Sequence, residues 1–405
     1  MSNELIYLDW AATAPLSQVA FDAMAPYLTP GFAGIEAGGG NANSLHGPGR
    51  RAFKVLEAAR RDVARAIDGR PDEVIFTSGA TEADNMALLG IVEGVLQKRG
   101  SGFGMGQRAL DPAPSVVVSA IEHDAVLQAA ELLRRRGIEV VCVQPNAGGF
   151  ITPEALQTPL EKAHDPVLVS IMALNNEVGS VMDIPALSRI AHEAGALFHC
   201  DATQALGKVP VSVKEWDVDA LSLSSHKVGG PKGVGALWLK ARTPFAAQIV
   251  GGGQESDRRS GTQNIAGVVG FAAALKAAVD AQPQQSVAMT SLRDKLFAGV
   301  TALAGVEPVV DLSAGEYGPH IVSVLCPGFE SETLILQLDK RGISVSGGSA
   351  CASHSLDPSH VLRALGIDRD RALGMVRFSL GSETTEADIE RAIAAFGEVL
   401  EDTWN

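Results

Sequence analysis

The sequence predicts an α/β protein with a large domain, residues 21–264, built on a mostly parallel sheet, and a smaller α+β domain formed by residues 1–20 and 265–405. Three observations carry that prediction. From Glu73 onward, short apolar runs rich in Val, Ile and Leu alternate with stretches of helical periodicity, a pattern that calls for parallel strands covered by helices on both faces. Two apolar runs, Val218–Leu223 and Val234–Leu239, bracket a polar, glycine-rich bend and read as strand, turn, strand. Beyond Gln282-Pro283-Gln284-Gln285 the texture shifts to a mixture of helices and strands.

Taken in order, Gly38 to Gly49 is punctuated throughout by glycine and proline and is expected to be irregular. A helix follows from about Arg50 to Ile67, with Phe53, Leu56, Val63 and Ile67 at helical spacing and Gly69 as its stop. Its arginines, offset by Glu57 and Asp62, read as a solvated face. The alternation then runs EVIF, a helix from Thr81 to Gln97, SVVVSA, a helix from Asp124 to Arg136, EVVCV, PVLVSIM, a helix from Ile184 introduced by Asp183, and ALFHC. Lys98–Pro114 interrupts it and reads as a surface loop with no catalytic duty. The smaller domain is expected to contain a helix near Ser291–Ala304, strand HIVSVL, a helix near Glu332–Lys340, strand ISVS, a helix near Pro358–Leu365 and strand MVRFSL. A closing helix starts at the capping pair Thr385 and Asp388.

Composition narrows the function classes. The chain has 405 residues, 46% of them hydrophobic and 20% charged, so it can bury a sizeable core. A net charge of −14 disfavours direct partnership with nucleic acid or an anionic membrane. The start, MSNELIYLDWAATAP, has no basic cluster before an apolar run, and the most apolar stretch, Ile265–Leu275, is too short to cross a bilayer. A cytoplasmic protein is expected. Cys142, Cys200, Cys326 and Cys351 lie far apart without CxxC spacing, so neither a metal site nor a disulfide framework is read.

In such a sheet ligands gather at the carboxyl ends of strands, which makes the polar residues there the candidates. Lys227 lies in Ser224-Ser225-His226-Lys227, the bend between the two bracketing runs. A lone lysine is ordinarily a solvated surface charge. In a glycine-lined bend beside serine and histidine it also suits an amine that must lose its proton and hold a carbonyl as an imine, which is what pyridoxal phosphate chemistry requires. Thr77-Ser78-Gly79-Ala80-Thr81-Glu82 follows a strand and opens a helix, either as an ordinary N-cap or as a phosphate cup that Ser224 and His226 complete. Asp201 ends ALFHC, where it caps a helix or pairs with a pyridine nitrogen, with Gln204 in reach of the ring hydroxyl. His123 follows SVVVSA and is a structural histidine or one that lies on the ring. Asn175 and Asn176 offer amides, and Arg377 offers a fork for a substrate carboxylate. The three other cysteines sit in apolar strand contexts that suit core filler, whereas Cys351 sits among small residues with His354 nearby. It is a harmless thiol or a travelling nucleophile.

TSGATEADN, IEHDAV, NNEVG, HCDATQ, SLSSHKVGGPKGVGAL, GGGQES, RRSGTQN, SGGSACAS and VRFSLG resemble, in order and spacing, the motifs of the cysteine desulfurases, the NifS/IscS-like branch of the class V aminotransferase superfamily. The resemblance covers nearly the whole chain. It implies the large-domain fold of the pyridoxal phosphate-dependent aminotransferases and a homodimer with active sites at its interface. By position, Lys227 is similar to the cofactor-tethering lysine, Asp201 to the pyridine partner, His123 to the stacking residue and Gln204 to the ring-hydroxyl contact. Ala80, Thr81, Ser224 and His226 resemble the phosphate cradle, and Thr262 the residue that reaches the other subunit's phosphate. Asn176 and Arg377 resemble the groups that receive substrate, and Cys351 the persulfide-forming nucleophile.

The implied reaction converts L-cysteine to L-alanine and leaves sulfur on Cys351 for an acceptor, an iron–sulfur scaffold or a sulfur carrier; no resident metal is implied, and the persulfide would be the contact to a nascent cluster. Two departures from the family pattern stand out. Gln254-Glu255-Ser256-Asp257-Arg258 lacks the glycine expected at its middle, and Ala42 stands where a proline is usual. The chain also closes at Asn405 without the longer tail of scaffold-binding members. Alternatives within the superfamily are a small-substrate aminotransferase, which has no need of Cys351, and a selenocysteine lyase. A non-catalytic sulfur carrier on the same fold is a third reading, and Lys227 argues against it.

Overall fold

The computed structural model describes residues 5–103, 113–348 and 358–404. Its strands, in chain order, are β1 (Ile6–Tyr7), β2 (Val74–Thr77), β3 (Ser115–Ser119), β4 (Glu139–Val143), β5 (Pro166–Ser170), β6 (Leu197–Asp201), β7 (Ala220–Ser224), β8 (Gly235–Leu239), β9 (Glu307–Pro308), β10 (Ile321–Leu325), β11 (Ile343–Ser344) and β12 (Met375–Ser379). Seven of them form one sheet in the order β2-β8-β7-β6-β5-β3-β4. Only β8 runs against its neighbours, pairing antiparallel with both β7 and β2. Two reversals in succession return β2 to the common direction, so the carboxyl ends of β2, β3, β5, β6 and β7 all open onto the same edge.

The period of two along each strand divides the interior. Ile75, Val116, Val118, Leu168 and Leu237 meet the helices Ala80–Lys98 and Asp124–Arg135 on one face. Val117, Val169, Phe198, Leu221 and Leu223 pack on the opposite face with residues of the helices Gly47–Ala66, Pro153–Lys162 and Ile184–Glu193. A third core, including Ile6, Leu8, Leu296, Val322, Phe378 and Phe396, lies around the antiparallel sheet β12-β10-β9 and the parallel pair β1-β11. The closing helix begins at the expected cap, Thr385 and Asp388 exchanging backbone-to-side-chain hydrogen bonds of 2.9 and 3.2 Å.

Several local expectations are corrected. One helix runs from Ile265 to Thr301, straight through Pro283, instead of starting near Ser291. Gln282 and Ser286 flank the proline and donate to the Lys208 carbonyl at 3.3 and 2.6 Å, anchoring the turn where a backbone hydrogen bond is missing. By length and composition this helix is long enough to span a bilayer, although Ile265–Leu275 alone is not, yet half of its most apolar window is buried. Val268, Phe271 and Leu275 join the large-sheet core, and Gly270 lets the helix close on Met24, whose sulfur lies 2.4 Å from where a Cβ would stand. The glycine-rich stretch before the first long helix is partly regular: Ile35–Gly39 forms a π turn, and the helix starts at Gly47 with His46 Nδ1 accepting from the Gly49 N–H at 3.2 Å. Phe53 is 53% exposed. Cys200 and Cys326 are buried as core filler, but Cys142, on edge strand β4, is exposed. Of the loop Lys98–Pro114, residues 104–112 lie outside the described residues.

Arg60 leaves the solvated face expected for its helix. It is buried, and its guanidinium meets the Glu255 carboxylate through two bonds of 2.6 and 2.9 Å while donating to the Val74 carbonyl at 2.7 Å. Glu255 also accepts from the Phe76 N–H at 3.0 Å. This explains the stretch that lacks its glycine: Glu255, Ser256 and Asp257 have φ of 53°, 57° and 62°. Each costs roughly 1 kcal/mol or more in the left-handed region, and the buried ion pair offsets that strain by pinning the loop to β2.

Replacing Glu255 by Ala leaves the buried Arg60 guanidinium with Glu57 as its remaining carboxylate and is expected to cost about 1.5–3 kcal/mol in urea unfolding. A second expectation concerns His199, fully buried in β6, whose Nδ1 and Nε2 bond the Ser170 and Ser222 hydroxyls at 2.8 and 2.9 Å. Burial pushes its pKa down to about 3. Below about pH 6.5 the unfolded chain takes up a proton that the folded ring refuses, so stability falls as pH falls towards 3. The stability deficit of His199→Gln, measured by urea midpoints, should therefore shrink between neutral pH and about pH 5.

Candidate active site

At the shared carboxyl edge of the sheet lies a cavity of about 490 Å³. Its anion end is the start of the helix Ala80–Lys98. The N-cap there is Gly79, which supplies no side-chain acceptor, so the first-turn N–H groups stay available to an outside oxyanion. Gly235 permits this approach: a Cβ on it would stand 2.7 Å from the Gly79 carbonyl carbon. Ser78, Ala80, Thr81, Ser224 and His226 line this end. Glu82 faces away from an anion role, accepting from the Ser78 N–H at 2.9 Å and from Arg259 Nε at 2.6 Å. Burial works against its charge, but the bonds from Arg259 and Ser78 prevail and hold its carboxyl below the usual range. The loop after β8 is thus tied to the cup twice, through Arg259 and through Glu255.

Lys227 enters from the β7–β8 turn. Its Nζ donates to the backbone carbonyls of Ala11 and Ala12 at 2.5 and 2.9 Å. The same N-terminal segment meets the turn again where His226 Nδ1 lies 3.0 Å from Thr13 Oγ1, where the Ala14 N–H donates to the His226 carbonyl and where the Ser17 N–H donates to that of Gly229. Burial, and then the charges of Lys227 and Lys232, push the His226 pKa down to about 4, so the imidazole is neutral at pH 7.

Asp201 stands at the end of β6, its Oδ1 accepting from the Thr203 N–H at 2.9 Å. The helix-capping reading of this residue does not hold, because β6 is followed by turns and not by a helix; the carboxylate caps that turn and lines the cavity. His123 is similarly double: Nδ1 accepts from the Ala125 N–H at 3.1 Å, capping the helix Asp124–Arg135, and the residue forms part of the wall. Gln204 donates to the Ala11 carbonyl at 2.8 Å, and its Oε1 lies 3.4 Å from His320 Nε2. Asn175 and Asn176 part ways. Asn175 is consumed by the fold, bonding the Ile121 carbonyl and the N–H groups of Glu177 and Val178, while Asn176 lines the cavity.

Arg377 arrives from β12 of the small sheet and is 1% exposed. Nη1 donates to the Asn176 carbonyl at 2.8 Å, Nη2 meets Asp9 Oδ1 at 2.9 Å, and Nε is buried without a partner among the described residues. Thr262 is exposed and does not line this cavity. Cys351 and His354 lie outside the described residues. Sequence reasoning missed Asp9, Ala11, Ala12 and Thr13, which apolar patterning leaves unmarked because backbone carbonyls supply most of their contribution. It also missed Asp84, one helical turn beyond Ala80, a spacing that would have placed it on the same face.

The residues present suit pyridoxal phosphate. An uncapped helix start awaits an anion, an amine and a carboxylate line one enclosure, and Thr203 Oγ1 in its lining lacks a partner among the described residues.

The aminotransferase class-V family model matches residues 6–392. A cysteine desulfurase IscS of Dictyoglomus turgidum is 37% identical over 98% of this chain and 94% of its own length. A cysteine desulfurase of Cereibacter sphaeroides is 39% identical over 98% of this chain and 96% of its own. Among solved structures, a NifS-like protein superposes with a TM-score of 0.87 at 34% identity, covering 98% of this chain and all (100%) of its own. SspA in complex with cysteine gives a TM-score of 0.75 at 28% identity, covering 93% and 98%. Sheet order, cavity and these relatives agree that the chain belongs to the class V aminotransferase family, within its NifS/IscS-like branch of cysteine desulfurases.

Proposed function

We propose that the cavity holds pyridoxal 5′-phosphate on Lys227 and that sulfur from L-cysteine is collected by Cys351. The observation that carries this reading is the convergence of Lys227, Asp201 and the uncapped helix start on one enclosure. Ala80, Thr81, Ser224 and a neutral His226 would hold the phosphate. Asp201 would pair with the ring nitrogen, Gln204 would meet the ring hydroxyl, and His123 would lie on the ring. When bound, the cofactor supplies an aldehyde for amines and an electron sink for bonds at the substrate's α-carbon.

The chain's own groups do the rest. The Ala11 and Ala12 carbonyls fix the Lys227 amine at the cavity wall, where that amine would take the substrate's α-proton as base. Arg377, braced by Asp9 and Asn176, receives the substrate carboxylate. Cys351 attacks the substrate sulfur as thiolate: the C–S bond breaks, an S–S bond forms, and the substrate carbon keeps the electron pair and is protonated to L-alanine. The persulfide then passes to a sulfur-acceptor protein, an iron–sulfur scaffold or a sulfur carrier, in the cytoplasm. Residues 21–264 act as the cofactor-bearing domain, and residues 1–20 and 265–405 as the domain that brings Arg377 and Cys351.

The working form is a homodimer. Phe32 and Val250 are each 81% exposed and Leu45 is 91% exposed, more apolar surface than a finished face presents. A 3.1 Å bond from Asn43 to Gln263 sets the segment bearing Leu45 beside the loop bearing Thr262. A second copy covering these side chains would carry Thr262 to the partner's phosphate.

Supplied with L-cysteine, the protein should yield L-alanine and a gain of one sulfur on the peptide containing Cys351, read by mass spectrometry. Cys351→Ala should lose both. Lys227→Ala should lower turnover by about 10²-fold or more, and borohydride reduction should fix a pyridoxyl group at Lys227; its absence there would sink the assignment.

A further inference from the structure

Beneath the cavity lies a group of buried carboxyls that the reaction above does not use. Asp84 is 1% exposed and contributes to the cavity floor, yet among the described residues no Lys or Arg pairs with its carboxyl, and the Ser222 hydroxyl is the one group that favours its charge. The nearest basic group is His199 Nε2 at 3.7 Å, beyond hydrogen-bond length, and that ring already bonds Ser170 and Ser222. His199 is neutral, so it offers no charge to balance a carboxylate. Glu122 is fully buried and accepts from the Met172 N–H at 2.8 Å, with the Ser119 hydroxyl also favouring its charge and no Lys or Arg pairing with it among the described residues. Asp201 is the member of this group that holds a backbone N–H bond and shares the cavity wall with Lys227 and Lys232.

With no counter-ion and one hydroxyl to favour it, a carboxylate at Asp84 would bear most of the cost of removing an ion from water, with a second anion beside it. We propose that Asp84 is a carboxylic acid, not a carboxylate, in the resting protein, and that it acts as a positioning residue for Asp201 by leaving that side chain the anion of the cavity floor. The proposal rests on the reading in which Asp201 meets the cofactor nitrogen. Two ionised carboxylates there would repel each other and compete for the same cation. The titratable groups facing Asp84 are His199, Cys200 and Asp201 of β6 and Glu122 beyond β3. Burial, and then the charge of Asp201, keep the proton on Asp84 well above the usual carboxyl range; burial does the same for Glu122 and for the Cys200 thiol.

The sign of the resulting pH dependence is fixed. Above about pH 4 the unfolded chain releases the Asp84 proton while the folded chain keeps it, so the wild type loses stability relative to Asp84→Asn as pH rises. In urea unfolding of the cofactor-loaded protein between about pH 5 and pH 8, the advantage of Asp84→Asn should grow by up to about tenfold in the unfolding constant per pH unit. The growth should be smaller when Asp201→Asn is present in both proteins, because Asp84 then loses its anionic neighbour. Asp84→Ser gives the same comparison where Asp84→Asn does not fold. An advantage that is flat across this range overturns the proposal, as does loss of the cofactor's visible band from folded Asp84→Asn at pH 7. Failure of borohydride to fix a pyridoxyl group at Lys227 would instead remove the cofactor reading and leave the pH-dependent gap standing.

Discussion

The organising interaction is the grip of two backbone carbonyls, those of Ala11 and Ala12, on the ammonium of Lys227. An amine delivered by a tight turn at a sheet edge has a long flexible stem and would otherwise sample many rotamers. Here it is bound by a segment 215 positions earlier in the chain. The Ala11 carbonyl also accepts from Gln204, so one oxygen fixes the lysine and the glutamine together. The segment is held in turn by β1 against β11, by Asp9 against Arg377 and by its bonds to the turn at His226 and Gly229. These contacts carry the position of the two carbonyls, and so link the pair β1-β11 and the strand β12 that bears Arg377 to the lysine.

Charge is distributed around the cavity with similar economy. One end is positive by backbone geometry, a helix start with no capping side chain. The floor is lined with carboxyl groups at depths where ionisation is expensive, and the half-buried His226 and the fully buried His199 are neutral at pH 7. Charged groups with a clear counter-ion stand at the wall and behind it: Glu82 with Arg259, Arg377 with Asp9, and Glu255 with Arg60. The pattern leaves Lys227 and Asp201 in the enclosure with capacity for an outside ligand.

Much of this was legible in the chain. Alternating apolar runs identified the strands of the main sheet, since a strand buried on both faces has no room for polar side chains. Residues at or just beyond the ends of those runs, Ala80, Thr81, His123, Asp201, Ser224, His226 and Lys227, all line the cavity, because parallel strands share one carboxyl edge. Where local signals misled, tertiary contacts outweighed them. Pro283 reads as a breaker, but the packed faces on both sides of it and the bonds to Lys208 carry the helix through. Arg60 reads as a surface charge, but Glu255 reaches it from a loop 195 residues away.

By itself the sequence determined the alternation of elements, the strand ends and the identity of the groups presented there, because burial period and turn chemistry act over a few residues. Only the tertiary structure decided which of those groups meet. It separated Asn176, in the wall, from Asn175, spent on the fold, and set Arg377 between Asp9 and Asn176. It also brought Asp84 close to Asp201 with no Lys or Arg to balance it among the described residues. The reason is physical: hydrogen bonds and desolvation depend on neighbours within a few ångströms, and those neighbours come from segments far apart in the chain.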